Sequence, residues 1–140
     1  MSDVRQKIWE VLGQPQLASL ATVTEEGQPW ARYVMAIGDK DFTVRVATSI
    51  HSRKVGQIEA NSEVHLNLGI ASLESAECYL QVAGRAEIKK DDSTRRSMWS
   101  DNLKAYFSGH DDPSYCVIEI KPRRIELWTM TSKEPEVWVA

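Results

Sequence analysis

"DFTVRVATSIHSRKVGQIEANSEVHLNL", residues 41–68, is the stretch on which the reading of the fold turns. Its first seven residues alternate bulky and polar side chains as a half-buried strand does, and "VGQIEAN" (55–61) spaces its apolar residues as a short helix does. Alternation returns in "EVHLNLGI" (63–70). There Val64, Leu66, Leu68 and Ile70 share one face, and His65, Asn67 and Gly69 the other. Between the first strand and the helix, "TSIHSRK" (48–54) crowds hydroxyls, an imidazole, a guanidinium and an ammonium into one connection.

Upstream, Val4, Ile8, Val11 and Leu12 recur at helical spacing over 3–12, with Ser2 or Asp3 as cap and Gly13 as stop. "QLASLATVT" (16–24) and "PWARYVMAIG" (29–38) read as a hairpin around "EEGQ", where Gly27 can take positive φ. Downstream, "ECYLQVAGRAEI" (77–88) is a long strand with Gly84 as a bulge or bend. Residues 91–109 predict a helix with Trp99, Leu103, Tyr106 and Phe107 on one stripe and Gly109 as its stop. "YCVIEI" (115–120) and "IELWTM" (125–130) predict two more strands, and "TSKEPEVWVA" (131–140) a peripheral tail. Six or seven short strands joined mostly by turns argue for a mainly β, antiparallel barrel with flanking helices rather than a parallel sheet.

At 140 residues the chain fits a single domain, 1–140, with one core. A formal net charge of −3 gives no general attraction to nucleic acid or anionic lipid, so any cation cluster is local. The longest uninterrupted apolar run, "YVMAI" (33–37), is far short of a membrane span, and "MSDVRQK" is charged where a secretory signal needs an apolar core. A cytoplasmic protein with no membrane segment is the expectation. Cys78 and Cys116 lie in separate strands as buried thiols, and His51, His65 and His110 are scattered, so no metal site is expected.

Ser52 is placed to cap a helix beginning at Arg53, which puts Arg53 and Lys54 in a first turn where the helix dipole disfavours cations. A bound phosphate would reconcile the two; solvation, or pairing with Glu59 or Glu63, is the alternative. Arg32 could reach the same end of the barrel or remain a surface residue. His51 either donates to that phosphate or sits on the loop surface. No GxGxxG, Walker sequence, Ser-His-Asp spacing or paired catalytic carboxylates occurs. The basic pairs at 95–96 and 123–124 lack interleaved aromatics, which disfavours a nucleic-acid partner.

Taken together, "ARYVMAI", "VATSIHSRKVGQIEANSEVHLNL", "VAGRAEI" and "IELW" resemble the FMN-binding split barrels of the pyridoxamine 5′-phosphate oxidase-like family, and the whole chain its general stress protein branch. The resemblance implies a six- to seven-stranded split β-barrel of Greek-key type and a homodimer with FMN at the subunit interface. It implies FMN phosphate held by Arg32, Ser52, Arg53 and Lys54 with Thr48 nearby, and the ring lying along the backbone of Tyr33, Val34 and Met35. Trp128 would approach the flavin from the partner subunit or pack in the dimer contact without touching it. The implied activity is that of an oxidoreductase on a small substrate or electron donor; a non-enzymatic flavin-binding protein, or a barrel using deazaflavin or haem, are alternatives. Oxidation of pyridoxamine 5′-phosphate itself is not expected, because "TMTSKEPEVWVA" (129–140) lacks the family's Arg-x-His pair. Ile37 stands where many relatives have lysine, and Tyr79 where the oxidases have glutamine.

Overall fold

A computed structural model describes residues 3–140. In chain order its elements are helix α1 (Val4–Leu12), strands β1 (Gln16–Val23), β2 (Pro29–Gly38) and β3 (Val44–Ser49), and helix α2 (Arg53–Ala60). Strands β4 (Glu63–Leu68) and β5 (Cys78–Lys89), helix α3 (Asp92–Met98), a 3-10 turn at Asp101–Ala105, and strands β6 (Tyr115–Thr129) and β7 (Glu136–Val139) follow. The strands run β3-β2-β1-β4-β5-β6-β7, every pair antiparallel, and β3 also pairs with β6. Six strands therefore close into a barrel, with β7 outside it on β6. The sub-order β4-β1-β2-β3 is a Greek key.

The period-2 residues fill the barrel. Leu20, Val44, Leu66, Leu80, Val82, Ile118, Ile120 and Ile125 are fully buried, each contributing about 1.5–3 kcal/mol by leaving water. Helix α1 inserts Ile8 and Leu12 into the same core, its start capped by Asp3 Oδ1, which accepts from the Gln6 amide at 3.0 Å. The other candidate cap, Ser2, lies outside the described residues. Helix α2 buries Val55 and Ile58 and packs chiefly on β1 and β5. No helix among the described residues is long and apolar enough to cross a membrane.

Several sequence expectations are corrected. The two strands expected around "KPRR" are one fifteen-residue strand, β6. Its edge is shared: Tyr115–Ile120 pair with β3 and Arg124–Leu127 with β7, so Lys121–Arg123 falls between them and Pro122 interrupts nothing there. The expected irregularity at Gly84 is present, but the extra residue, Arg123, is on β6, and a Cβ at Gly84 would strike the Lys121 carbonyl oxygen.

The helix over 91–109 stops at Met98. Trp99 and Ser100 are extended, and the chain resumes as a 3-10 turn, leaving Tyr106 exposed while Phe107, Trp99 and Leu103 pack near Tyr115. Ser100, Asp101 and Asn102 are residues whose side chains compete with helical backbone bonding. Alternation in β4 ends at Gly69, whose φ of +117° turns Ile70 out of the core. The tail is held: Trp138 meets Phe42 edge-on at 5.1 Å, and Glu136 pairs with Lys7 at 2.9 Å. Cys116 is buried as expected, whereas Cys78 is half-buried; both thiols are free.

Candidate functional site

Strand β2 pairs with β1 along almost its whole length but with β3 only at Ile37–Arg45 and Gly38–Val44. From Trp30 to Ala36 its other edge therefore has no strand partner among the described residues. Alternate residues of such an edge present both backbone N–H and C=O outward. Arg32, Tyr33, Val34 and Met35 all lie here. Arg32 and Tyr33 are consecutive, so their side chains leave opposite faces of the strand.

On the barrel-mouth face the Arg32 guanidinium is fixed by four acceptors. Nη1 donates to Thr22 Oγ1 at 2.7 Å, the Trp30 carbonyl at 3.1 Å and the Leu20 carbonyl at 3.3 Å, and Nη2 donates to Gln57 Oε1 at 3.1 Å. Thr22, 1% exposed, donates in turn to Gln57 Oε1 at 2.5 Å. This network ties β1, β2 and α2 together. Thr22 and Gln57 were not among the residues expected from sequence. Gln57 lies three and four residues after Lys54 and Arg53, the spacing that sets side chains on one helical face.

Ser52 is the N-cap of α2 by position, but the expected capping bond is absent: its hydroxyl donates to the Ser49 carbonyl at 2.9 Å and lies 3.4 Å from Thr48 Oγ1. The helix thus starts with no side-chain acceptor on its first N–H groups and with two cations in its first turn. Arg53 is exposed and Lys54 half-buried. None of the ion pairs among the described residues includes Arg32, Arg53 or Lys54. Pairing with Glu63 is removed as an explanation, because that carboxylate takes Arg123 at 2.8 Å. Burial pushes the Lys54 ammonium below its ordinary range, with Arg32 adding to the effect. Burial also lowers Arg32, with Arg53 as the second cause. His51 is exposed, its amide bonded to Ser49 Oγ.

On the outer face, Leu17, Ser19, Tyr33, Asn67, Ile70, Tyr79 and Gln81 are among the residues that line a groove of about 460 Å³. Tyr33 is 77% exposed, Met35 59% and Leu17 55%. Trp128 sits across from Tyr79 in the β5–β6 ladder and donates from Nε1 to Glu126 Oε1 at 2.9 Å. That bond and the Arg124 guanidinium hold the Glu126 carboxyl below its usual range. Of the residues expected at one site, Arg32, Arg53 and Lys54 converge with Thr48 and Ser52 at the start of α2. Val34 is buried, Tyr33 and Met35 face outward, and Trp128 is on the outer face of β6 rather than at the cation cluster. Of the basic pairs, Arg96 binds Asp92, Arg123 binds Glu63 and Arg124 binds Glu126, while Arg95 donates to the Asp112 carbonyl.

Comparison with known proteins agrees with this architecture. The sequence pattern described as "Pyridoxamine 5'-phosphate oxidase" matches residues 4–129. General stress protein 26 of Bacillus subtilis (strain 168) is 35% identical over 133 residues, covering 95% of this chain and 94% of that protein. The crystal structure of general stress protein 26 from Bacillus anthracis str. Sterne superposes with a TM-score of 0.82 at 28% identity, covering 98% of both chains. A putative pyridoxamine 5′-phosphate oxidase from Listeria innocua gives 0.76 at 27% identity, covering 93% of this chain and all of that one. A heme binding protein from Mycobacterium smegmatis (0.73, 20% identity, 96% of this chain and 56% of that chain) and an F420 reductase (0.65, 22% identity, 84% and 94%) share the fold. With its six-stranded split barrel and a family match spanning nearly the whole sequence, the chain belongs to the pyridoxamine 5′-phosphate oxidase family.

Proposed function

We propose that this chain binds FMN and acts as an oxidoreductase on a small molecule, with the FMN phosphate held by Arg32, Ser52, Arg53 and Lys54 and with Thr48 beside them. The observation that carries the reading is the trio of cations without a carboxylate partner at a helix start whose first N–H groups lack a side-chain cap. Holding a cation partly out of water with no counter-charge costs free energy, and an incoming phosphate removes that cost while accepting bonds from the helix N–H groups.

The free edge of β2 supports a place for the ring beside the backbone of Tyr33, Val34 and Met35. Bound there, FMN supplies the redox chemistry, with hydride or electrons passing through its isoalloxazine. The protein's part is to fix the phosphate, align the ring against a rigid strand and exclude water on one side. The exposed Leu17, Tyr33 and Met35 give the outer face a reason to be covered. We assign that cover to a second copy of the chain, which would bring Trp128 toward the flavin from the partner subunit. Lys133 is the one cation in residues 129–140, which contain neither Arg nor His, so the substrate is not assigned as pyridoxamine 5′-phosphate.

Purified protein titrated with FMN, followed by absorption and by quenching of flavin fluorescence, tests the reading. Saturation near one FMN per chain is expected, and the spectrum separates flavin from deazaflavin or haem. Absence of saturable FMN binding would overturn the assignment. Turnover with a nicotinamide donor then separates an enzyme from a protein that only carries flavin.

A further inference from the structure

We infer that Gln57 is the positioning and charge-selecting residue of the cation cluster: its amide oxygen fixes Arg32, and its neutrality keeps the site open to a phosphate. The inference rests on the FMN reading above, but concerns a residue outside the phosphate ligands assigned there. Gln57 Oε1 accepts from both Arg32 Nη2 and Thr22 Oγ1. Arg32 Nη2 can only donate, so the Gln57 atom it meets is the amide oxygen, and Thr22 Oγ1, which accepts from Arg32 Nη1, gives its proton to that same oxygen. Three groups from β1, β2 and α2 thus form a closed ring of bonds in which Gln57 supplies only an acceptor.

A carboxylate would serve those two donors equally well. Glutamate at 57 would accept from Thr22 and Arg32 in the same geometry, and charge-assisted bonds are the stronger kind. It would also place a negative charge one helical turn from Lys54 and Arg53, where i,i+3 and i,i+4 pairs form readily. Local stability alone would therefore favour glutamate. The sequence holds glutamine, whose Nε2 has no hydrogen-bond partner among the described residues and remains a donor. The cluster keeps its positive charge, and Arg32 is held as an oriented cation with Nε and one Nη2 proton unused by protein acceptors.

The test uses the full chain and two probes, FMN and riboflavin, which differ by the phosphate. In the parent protein FMN is expected to bind more tightly than riboflavin, with the difference shrinking as salt rises. Gln57→Glu should keep or raise the melting temperature while weakening FMN binding at least about tenfold, with riboflavin affinity unchanged. Gln57→Met, which deletes the acceptor and leaves the charge of the site alone, should lower the melting temperature and reduce the FMN preference by less than Gln57→Glu does, the loss measuring what the positioning of Arg32 contributes.

Gln57→Glu that retains the full preference for FMN would refute the inference and leave the phosphate site standing. A parent protein that does not distinguish FMN from riboflavin would refute the phosphate reading and the inference with it. Failure of Gln57→Glu to fold would also count against the inference, since the substitution preserves every acceptor that the ring of bonds requires.

Discussion

Replacing Lys54 by methionine should weaken FMN binding and strengthen the flavin-free protein at the same time. Methionine keeps the length of the apolar stem, and so the packing, while deleting the charge. With FMN bound, the loss is one charge-assisted hydrogen bond to phosphate, about 1.5–3 kcal/mol, or roughly 10- to 150-fold in Kd. Without FMN, the ammonium is half-buried beside Arg32 with its pKa lowered by burial, so the charged form opposes folding. Solvent screening of a partly exposed group holds that penalty to about 0.3–1 kcal/mol, a gain for the variant of roughly 1–4 °C in a chain of this size. The pH dependence has a defined sign. The folded-state pKa lies below 10.5, the unfolded value, so the penalty is complete below the folded pKa and is relieved as pH rises toward 10.5. Parent and variant should therefore converge in stability at high pH. Thermal melts of flavin-free protein, with FMN titrations of both forms, measure the pair of effects. A flavin-free variant that melts lower than the parent and binds FMN equally well would refute the reasoning.

Gly84→Ala should cost about 2–4 kcal/mol in urea unfolding, because the new Cβ would lie 3.0 Å from the Lys121 carbonyl carbon and the Pro122 Cα, backbone atoms with no freedom to retreat. Burial holds the Cys116 thiol above 9.0, so the folded chain keeps a proton the unfolded chain releases; stability present below pH 9.0 should fall as pH rises through the folded value. Cys116→Ala should flatten that slope in pH-dependent melts. Met35→Glu places a charge on the outer face, where Met35 is 59% exposed, and should shift the proposed dimer toward monomer in size-exclusion chromatography while changing the monomer's stability by no more than about 0.5 kcal/mol.

The barrel was readable wherever burial has period two and the strand stays on one face, as in Val64, Leu66 and Leu68. It was least readable where one backbone serves two partners. Pro122 looks like a break because sequence shows only the missing N–H, not that the pairing of β6 with β3 ends at Ile120 and its pairing with β7 begins at Arg124. The stripe of Trp99, Leu103 and Phe107 does mark residues that share a small core with Tyr115, but the helix stops at Met98, and an extended pair followed by a turn brings them together instead. At the site, Arg53 and Lys54 announced themselves by standing where a helix dipole repels cations. Gln57 and Thr22 gave no such signal, since a glutamine on a short helix and a threonine on a strand are ordinary until three elements converge on Arg32.

The cleft lies where β2 and β3 part. β3 stays in register with β6 from Val44 through Ser49, but follows β2 only at Val44 and Arg45. The two strands part company, and the segment of β2 from Trp30 to Ala36 loses its second partner. The chain leaves β3 at Ser49 on the far side of that opening and enters α2 four residues later at Arg53, so the helix start with its cations borders the gap. A continuous β2–β3 ladder would satisfy the free edge and remove the cleft together. The fold therefore sets side by side the two features on which the proposed cofactor site rests: an unpaired strand edge, and beside it a positively charged helix start with unused donors.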